Sequence, residues 1–371
     1  MRIAHVVTYI SPDGAFGGPV RVALGQAAEL ASRGHHVTVY AAAPPHLAGT
    51  TERDGFTIRT FPSRRVAPGG GFAMMSSPAL TRALKRDLPS VDAAHVHLAR
   101  DLVTIPAALA VRAGNVPYVL QPHGMIDASS RLLSKPLDAL ATRSLLRDAG
   151  TVMVLTDQEA SDIAGIEPLA SCQPIVNGMK VGELPPYEGR EDTVLFLARL
   201  HPRKRPVAFV EMAQRVAAEH PNTRFVLVGP DEGEGPAVSA AISASGYSDR
   251  IVWRGSVSPD ETEQLLARAR AYVLPSVNEV FPMTILESLQ AGTPVITTDS
   301  LGIADACLRY GAAEITDGTP NALAGAVTRV LSSPAVVSRL RAGGLDYLRS
   351  ELDIRTVADE LETAYKGGPR A

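Results

Sequence analysis

Cysteine and tryptophan are scarce in this chain, which has two Cys and one Trp among its 371 residues. Cys172 and Cys307 lie far apart, and neither has the neighbours that a metal-binding cysteine motif would need. The sequence therefore predicts no disulfide framework, and a reducing cytoplasm is the expected compartment.

Long apolar runs are missing as well. No stretch approaches the roughly 18 consecutive apolar residues that a membrane-spanning helix requires. The first residues, MRIAHVVTYISPDG, carry one basic side chain and an apolar run that stops at Pro12, which predicts a core strand rather than a signal peptide. We expect a soluble protein, or one that contacts a membrane only peripherally.

A strong charge imbalance is also lacking, since the net charge is −3. Nothing in the composition predicts a nucleic-acid partner. The chain also contains no Asp-x-Asp pair, the pattern with which a sugar-transfer enzyme that uses a divalent metal normally holds a diphosphate. No metal site is predicted.

What the sequence does have is a repeated alternation of apolar strands and helices. Strands are predicted at RIAHVVTYI, HVTVYAAAP, VDAAHVHL, VPYVLQPHG and TVMVLT, with helices near 78–88, 101–113 and 135–148. The Pro-rich stretch 177–192 interrupts this pattern and indicates a linker. The alternation then restarts with TVLFLARL and continues through the predicted helices 206–219 and 259–270.

This pattern predicts an α/β protein with two doubly wound, Rossmann-like domains. The first is placed at 1–180 and the second at 181–354. In such sheets ligands bind beyond the carboxyl ends of the strands, so an interdomain cleft between the two facing sheets is the expected binding site.

The stretch NEVFPMTILESLQAGTPVI, residues 278–296, sets Glu279 and Glu287 on either side of VFPMTIL. Pro282 suits the first position of a helix and Gly292 suits its end. Glu279 is therefore expected on a strand-to-helix loop, with Glu287 just past the first helical turn.

The free amides of Met283 and Thr284 would then lie between the two acids. A helix N-terminus attracts anions, and carboxylates accept hydrogen bonds from hydroxyls. A phosphate together with a polyol suggests a nucleotide sugar. The alternative is an ordinary amphipathic helix with a solvated glutamate.

The basic turn ARLHPRKRP, residues 198–206, follows the first strand of the second domain. Arg199 and Lys204 lie near the carboxyl end of that strand, where fixed cations would stabilise a departing nucleoside diphosphate. A solvated basic turn is the alternative. The acidic segment GPDEGEGP, residues 229–236, reads as a mobile loop.

Two features of the first domain complete the candidate residues. Gly17 and Gly18 follow the first strand and would permit close approach of a phosphate or sugar, although the dinucleotide fingerprint GxGxxG is absent. His123, in QPHGM, follows a strand and is expected to face the cleft. Of His95 and His97, in AAHVHL, His97 is predicted to be the nearer to the cleft.

Taken in order along the chain, these motifs resemble the large family 4 of retaining glycosyltransferases with the GT-B fold. The resemblance rests on GG after the first strand, HGM, NGM at the linker, RLHPRK, GSVSPDE (255–261) and the Glu-x7-Glu element EVFPMTILE. Two positions depart from the family pattern, because Arg205 and Pro282 stand where the family usually has glycine. In this family the C-terminal helix, here about 355–371, would pack back on the first domain.

The resemblance implies a metal-independent hexosyltransferase that needs no cofactor and takes its sugar from a UDP- or GDP-linked donor. Arg199 and Lys204 would hold the diphosphate, the amides of Met283 and Thr284 would meet phosphate, and Glu287 would bind the ribose.

The same resemblance implies that Glu279 and His123 lie beside the transferred sugar. The base would stack near Arg254 and Val257, and Gly18 would border donor phosphate and acceptor. Two other functions remain open, a GT-B nucleotide-sugar epimerase or sugar phosphorylase and a non-catalytic nucleotide-sugar-binding protein.

A hydroxyl acceptor is expected on the first domain, around Gly18, His123 and the segment 64–86. That segment combines basic with apolar residues, as a peripheral contact with anionic lipid would. The family resemblance points to lipid-linked saccharide acceptors at the inner membrane face and to polysaccharide, glycolipid or glycosylated-metabolite synthesis. A solvated loop followed by a surface helix is the alternative.

Overall fold

The structure, a computed structural model, describes residues 1–11, 17–66, 71–126 and 138–367. These residues divide into two compact units. The first unit contains the described residues up to 180 together with 354–367, and the second contains 181–353. Among the described residues, no helix combines the length and the apolar character that crossing a bilayer would require.

The sheet of the first unit is built around its earliest strand. The strands are β1 (Arg2–Tyr9), β2 (His36–Ala43), β3 (Gly49–Arg53), β4 (Phe56–Pro62), β5 (Arg64–Arg65), β6 (Met75–Ser76), β7 (Ala93–Val96), β8 (Tyr118–Leu120), β9 (Thr151–Val154) and β10 (Cys172–Pro174). Eight of them form one sheet in the order β10-β9-β8-β7-β1-β2-β4-β3, and β5 pairs with β6. Only β3 runs antiparallel in the large sheet, so this sheet is predominantly parallel.

Helices cover both faces of that sheet. They are α1 (Gly17–Ser32), α2 (Pro78–Asp87), α3 (Thr104–Ala113), α4 (Arg143–Asp148), α5 (Asp157–Ile166) and the C-terminal helix α13 (Ile354–Lys366). Along β1, Ala4 and Val6 enter one hydrophobic cluster and Ile3 and Val7 enter the other. This alternation follows from the period of two of a strand, which here buries apolar residues on both sides.

The helix α13 belongs to the first unit although it ends the chain. Its residues Ile354, Val357, Leu361 and Tyr365 are buried in the same cluster as β1 and α1. Arg33, which directly follows α1, also pairs with the polar face of α13, through an ion pair to Asp359 at 2.6 Å.

The second unit repeats the plan with a smaller sheet. Its strands are β11 (Glu191–Leu197), β12 (Arg224–Val228), β13 (Ile251–Trp253), β14 (Ala269–Leu274), β15 (Val295–Thr298) and β16 (Ala313–Thr316). They run parallel in the order β13-β12-β11-β14-β15-β16. The helices between them are α6 (Pro206–Glu219), α7 (Gly235–Ala244), α8 (Pro259–Arg268), α9 (Met283–Gln290), α10 (Ala304–Tyr310), α11 (Pro320–Ser332) and α12 (Pro334–Glu351).

The structure confirms the α/β class and the two doubly wound sheets. The predicted helix 206–219 has the bounds of α6, and both cysteines are free. The hairpin of β3 and β4 was not predicted. The strand β3 is polar and exposed throughout, but Phe56, Ile58 and Phe61 of the largely half-buried β4 were an apolar signal that the sequence analysis missed. The predicted helix 259–270 stops at Arg268, since Ala269 begins β14. Of the predicted helix 135–148, the part before Asp138 lies outside the described residues.

We predict that the first unit depends on its C-terminal helix. Replacing the fully buried Leu361 with alanine should lower the free energy of unfolding by about 2–5 kcal/mol, because it removes core packing and leaves a cavity. Lys366→Ala on the exposed face is the matched control. Urea unfolding followed by circular dichroism measures both, and equal stability of the two variants would contradict the prediction.

Candidate functional site

The binding edge of the second unit lies where the strand order diverges. The strand β11 has β12 on one side and β14 on the other, so the loops that follow β11 and β14 leave the sheet side by side at a topological switch point. The backbone confirms this proximity, because the amide of Val277 donates a hydrogen bond to the carbonyl of Arg203 at 3.0 Å.

The two loops are joined by a buried ion pair. Nζ of Lys204 lies 2.5 Å from Oε1 of Glu279, and the two side chains are only 14% and 8% exposed. Burial lowers the pKa of Lys204, Glu279 opposes that shift, and the guanidinium groups of Arg199 and Arg203 lower the pKa further. The cations of the basic turn therefore act on one another at this edge.

The backbone around Glu279 is fixed from both sides. Asn278 has a φ of 54°, a left-handed conformation that asparagine tolerates better than most residues. The carbonyl of Glu279 accepts a hydrogen bond from the amide of Gly302 at 2.8 Å. A Cβ at Gly302 would lie 2.4 Å from the carbonyl oxygen of Val280, so only glycine permits this approach.

Arg199 is held by the acidic segment that follows β12. Its Nη1 donates to both carboxylate oxygens of Glu232, each at 2.8 Å. The two side chains are 34% and 27% exposed, so solvent still reaches this pair. The segment is tied to the basic turn by its backbone, since the amide of Glu232 donates to the carbonyl of Leu200 at 3.1 Å.

Glu232 is a residue that the sequence analysis missed. We read its segment as a mobile loop, whereas the structure gives its acid a specific partner. One signal could have indicated this contact. Because β11 and β12 are neighbours in the sheet, the residues that follow the two strands lie close together.

Arg205 explains one departure from the family pattern. It has a φ of 52° and a ψ of 51° between the basic turn and α6. This left-handed conformation suits glycine and is strained for arginine. The side chain reaches the loop after β16, where a Cβ at Gly318 would lie 2.5 Å from its Nη1. Arg205 therefore adds a guanidinium at this edge that glycine would lack.

The helix α9 begins one residue later than predicted. Pro282 is the N-cap with φ −74° and ψ 106°, and Met283 is the first helical residue. The extended ψ of Pro282 excludes it from the helix. The prediction for the helix end is confirmed, because Gly292 follows the C-cap with a φ of 62°. Glu287 lies just past the first turn and is half-buried.

Tyr272 connects the start of α9 to the end of β11. Its hydroxyl forms hydrogen bonds with Oγ1 of Thr284 at 2.7 Å and with the carbonyl of Leu197 at 3.3 Å. Because it has a single proton, it donates to the carbonyl and accepts from Thr284. The side chain of Thr284 is thus held by the protein, and only the amides of Met283 and Thr284 remain as candidate anion contacts at this helix start.

Arg254 and Val257 lie on the loop after β13, two strands away from β11. Arg254 is exposed and pairs with Glu261 at 2.8 Å. Val257 is half-buried. This loop meets the neighbouring one through the carbonyl of Gly255, which accepts from the amide of Gly229 at 2.8 Å. Arg254 and Val257 therefore lie at the margin of the sheet and not beside Lys204.

In the first unit, Gly17 is the first residue of α1, the helix that follows β1 in the chain. A Cβ at Gly18 would meet no atom of the described residues within 4 Å. Within that part of the chain, nothing blocks a close approach to Gly18.

His123 lies on a strained turn after β8. Both His123 and Gly124 have positive φ, 56° and 72°. The turn is held by Glu159, which is 3% exposed and accepts hydrogen bonds from the amides of Gly124 at 2.5 Å and Leu155 at 2.7 Å. Burial raises the pKa of Glu159, and these backbone hydrogen bonds oppose the shift.

The side chain of His123 is fixed by a second histidine. Its Nε2 lies 2.8 Å from Nδ1 of His97, and the two rings stack at 5.1 Å. We predicted that, of His95 and His97, His97 is the nearer to the cleft. Both side chains are buried, at 0% and 1% exposure, and it is His97 that contacts His123. His123 remains half-buried.

Comparison with known proteins finds a family match for each of the two units. The sequence profile of the family "Glycosyl transferases group 1" matches residues 185–344, and that of the "Glycosyl transferase 4-like domain" matches residues 17–169. A 2-deoxystreptamine glucosyltransferase of Streptomyces kanamyceticus is 27% identical over 307 residues, which cover 74% of this chain and 77% of the relative. A D-inositol 3-phosphate glycosyltransferase of Mycobacterium avium is 24% identical and covers 92% of this chain and 89% of its own.

Among solved structures, HepE of Anabaena in complex with UDP-glucose superposes with a TM-score of 0.74 at 16% identity, covering 99% of both chains. Sucrose-phosphate synthase from Thermosynechococcus elongatus gives a TM-score of 0.70 at 17% identity and covers 99% of this chain and 98% of its own. Both likenesses establish the GT-B fold.

We predict that Lys204 and Glu279 stabilise the second unit as a pair. Lys204→Met should lower the free energy of unfolding by about 3 kcal/mol, because it leaves a buried carboxylate without its cation. The double variant Lys204→Met, Glu279→Gln should recover most of this loss. The single tryptophan of the chain, Trp253, lies in β13, so its fluorescence in urea follows this unit. Strictly additive effects of the two substitutions would contradict the pairing.

Proposed function

The chain belongs to the group 1 glycosyl transferases, a family 4-type group with the GT-B fold, and from this premise we propose that it moves a hexose from a nucleoside-diphosphate sugar to a hydroxyl acceptor with retention of anomeric configuration. The observation that carries this proposal is the meeting of Arg199, Lys204 and Glu279 at the switch point of the second sheet.

The cations at this edge suit a diphosphate. Lys204 and Arg199 each have a carboxylate partner on a neighbouring loop, and a diphosphate offers the same kind of oxygen with more negative charge. Binding would exchange Glu232 for phosphate at Arg199, a charge-assisted contact of the strong class. The amides at the start of α9 supply further donors for phosphate.

In the proposed reaction the bond from the anomeric carbon to the diphosphate oxygen breaks, and the acceptor oxygen forms its new bond on the same face of the sugar. The acceptor proton passes to the departing diphosphate. Arg199 and Lys204 stabilise the charge that grows on this leaving group, so the proposal needs no metal. Glu287 binds the ribose, and Glu279 and His123 lie beside the sugar.

The relatives suggest the class of acceptor. The names of two of them specify 2-deoxystreptamine and inositol 3-phosphate, both hydroxylated rings. A hydroxyl acceptor on the first unit, near Gly18 and His123, fits this chemistry. We place the reaction in the reducing cytoplasm, in keeping with the two free cysteines.

A lipid-linked acceptor would require contact with a membrane. The described part of the segment 64–86 presents the exposed basic side chains of Arg64, Arg65, Arg82, Lys85 and Arg86. Val66 is 63% exposed beside them, whereas Met74 and Met75 are half-buried. Residues 67–70 and the side chain of Phe72 lie outside the described part. We propose a weak, salt-sensitive contact with anionic lipid at the inner membrane face.

Arg199→Ala should reduce turnover by ~10²-fold or more, because it removes one preorganised charge from the leaving group. The variant should fold, since Arg199 is partly exposed. The rate to measure is acceptor-dependent release of nucleoside diphosphate across a panel of UDP- and GDP-sugars, with Arg203→Ala as the exposed control in the same turn. Excess EDTA should leave the wild-type rate unchanged.

Near-native turnover by Arg199→Ala would remove this residue from the mechanism. Release of nucleoside diphosphate without any acceptor would favour an epimerase or a hydrolytic side activity over transfer. Complete loss of activity in EDTA, with rescue by Mg²⁺, would overturn the metal-independent mechanism.

Membrane contact predicts co-sedimentation with anionic vesicles at low salt, little with neutral vesicles, and release at high salt. Arg82→Glu with Lys85→Glu should abolish it, while Arg147→Glu, an exposed change elsewhere in the first unit, should not. Equal and negligible sedimentation under all conditions would leave a small-molecule acceptor as the better account.

A further inference from the structure

Arg205 carries a positive charge that the described part of the chain leaves without a partner. Among the described residues, its guanidinium forms no ion pair and no hydrogen bond. The side chain is nevertheless half-buried, so the fold removes part of its hydration without replacing it. Arg199 and Lys204 of the same turn each pair with a carboxylate. Arg205 is therefore a half-buried cation of this turn whose charge is not compensated.

The backbone of Arg205 also adopts a conformation that is unfavourable for arginine. Its φ of 52° and ψ of 51° lie in the left-handed region, which glycine adopts without strain. Non-glycine residues with such strained backbones cluster at ligand-binding and active sites. Since no described group of the protein binds the guanidinium, the function that offsets this strain is expected in the binding of a ligand.

The three cations of the turn reach different parts of the binding edge. Arg199 pairs with the acid that follows β12, and Lys204 pairs with the acid that follows β14. Arg205 extends towards the loop after β16, where a Cβ at Gly318 would lie 2.5 Å from its Nη1. In the strand order β12-β11-β14-β15-β16, the three cations therefore follow one another along the edge.

The two acids on the loops after β15 and β16 do not neutralise Arg205. Asp299 and Asp317 are exposed, and no ion pair joins either of them to Arg205. Asp317 instead accepts hydrogen bonds from the amide and the hydroxyl of Thr319, at 2.9 and 2.8 Å. These hydrogen bonds are the main cause of the lowered pKa of Asp317, and the charge of Arg205 contributes less. The guanidinium thus remains free to bind an anion of a ligand.

The chemistry of a nucleotide sugar indicates which anion this is. A diphosphate held by Arg199 and Lys204 is followed at one end by the nucleoside and at the other by the sugar. Uridine and guanosine carry no acidic group, whereas a hexose oxidised at C6 carries a carboxylate. In the proposed function the sugar lies beside Glu279, which follows β14 and is on the same side of the switch point as the guanidinium of Arg205. Guanidinium and carboxylate form strong, charge-assisted hydrogen bonds.

We propose that Arg205 binds the carboxylate of a nucleoside-diphosphate hexuronate and thereby selects an acidic donor sugar over its neutral counterpart. This inference rests on the proposed function, because it takes the ligand to be a nucleotide sugar. Arg199 and Lys204 keep their contacts with the diphosphate, so Arg205 supplies selectivity for the sugar and not stabilisation of the leaving group.

Calorimetric titration with matched donors tests the proposal. UDP-glucuronate is compared with UDP-glucose, and GDP-mannuronate with GDP-mannose, so that the members of each pair differ only in the carboxylate at C6. UDP and GDP alone measure the contacts of the diphosphate. On the nucleotide that the wild type prefers, we expect the hexuronate to bind about 10-fold or more tightly than the neutral sugar, the scale of a hydrogen bond to a charged group.

Variants of Arg205 separate its side chain from its backbone. Arg205→Gly should abolish the preference for the hexuronate, and its midpoint of unfolding in urea should equal or exceed that of the wild type, because glycine suits the left-handed backbone. Arg205→Ala keeps the strained backbone and should lose the preference to the same extent. Arg203→Ala, which removes one charge from an exposed position of the same turn, should keep it.

Equal binding of the acidic and neutral donors by the wild type, or an unchanged preference in Arg205→Gly, would overturn the proposal. A larger loss of affinity for UDP or GDP alone in Arg205→Gly than in Arg203→Ala would do so as well, because Arg205 would then bind the diphosphate. These results leave the proposed function intact. Failure of every donor and of both nucleoside diphosphates to bind the wild type would instead contradict the proposed function, and this inference with it.

Discussion

The ion pair between Lys204 and Glu279 is the interaction around which the second unit's binding edge is organised. It exists because β11 and β14 are neighbours in the sheet, so the loops that follow them leave the sheet side by side. Two charges at 14% and 8% exposure are costly to bury separately, so each fixes the position of the other. The left-handed Asn278 and the closely packed Gly302 add backbone restraints to the same point.

The other charged side chains at this edge are less buried than this ion pair. Arg199 and Glu232 form a pair that water can reach, and Arg205 contributes a further guanidinium at the expense of a strained backbone. The two ion pairs at this edge therefore differ. The inner ion pair is buried and permanent, whereas the outer ion pair is solvated and can exchange its partner. A leaving diphosphate would compete for the exchangeable cation without breaking the buried pair.

Local sequence patterns were enough to predict the class of fold and several element ends. Pro206 marked the start of α6 and Gly292 the end of α9, because proline and glycine act on their own backbone. The partners of the site residues were harder to foresee. Glu232 is 33 residues from Arg199 and Tyr365 is 360 from His5, and pairings of that kind depend on strand order and on the return of the C-terminal helix.

The claim at the centre of this account is that Arg199 exchanges a carboxylate for a diphosphate, and calorimetric titration of UDP and GDP into Glu232→Gln tests it most directly. Removing the competing acid frees Arg199, and a partly exposed pair contributes up to about 1 kcal/mol. The account therefore predicts that the preferred nucleotide binds Glu232→Gln about 2- to 5-fold more tightly than it binds the wild type. Weaker or unchanged binding by this variant would contradict it.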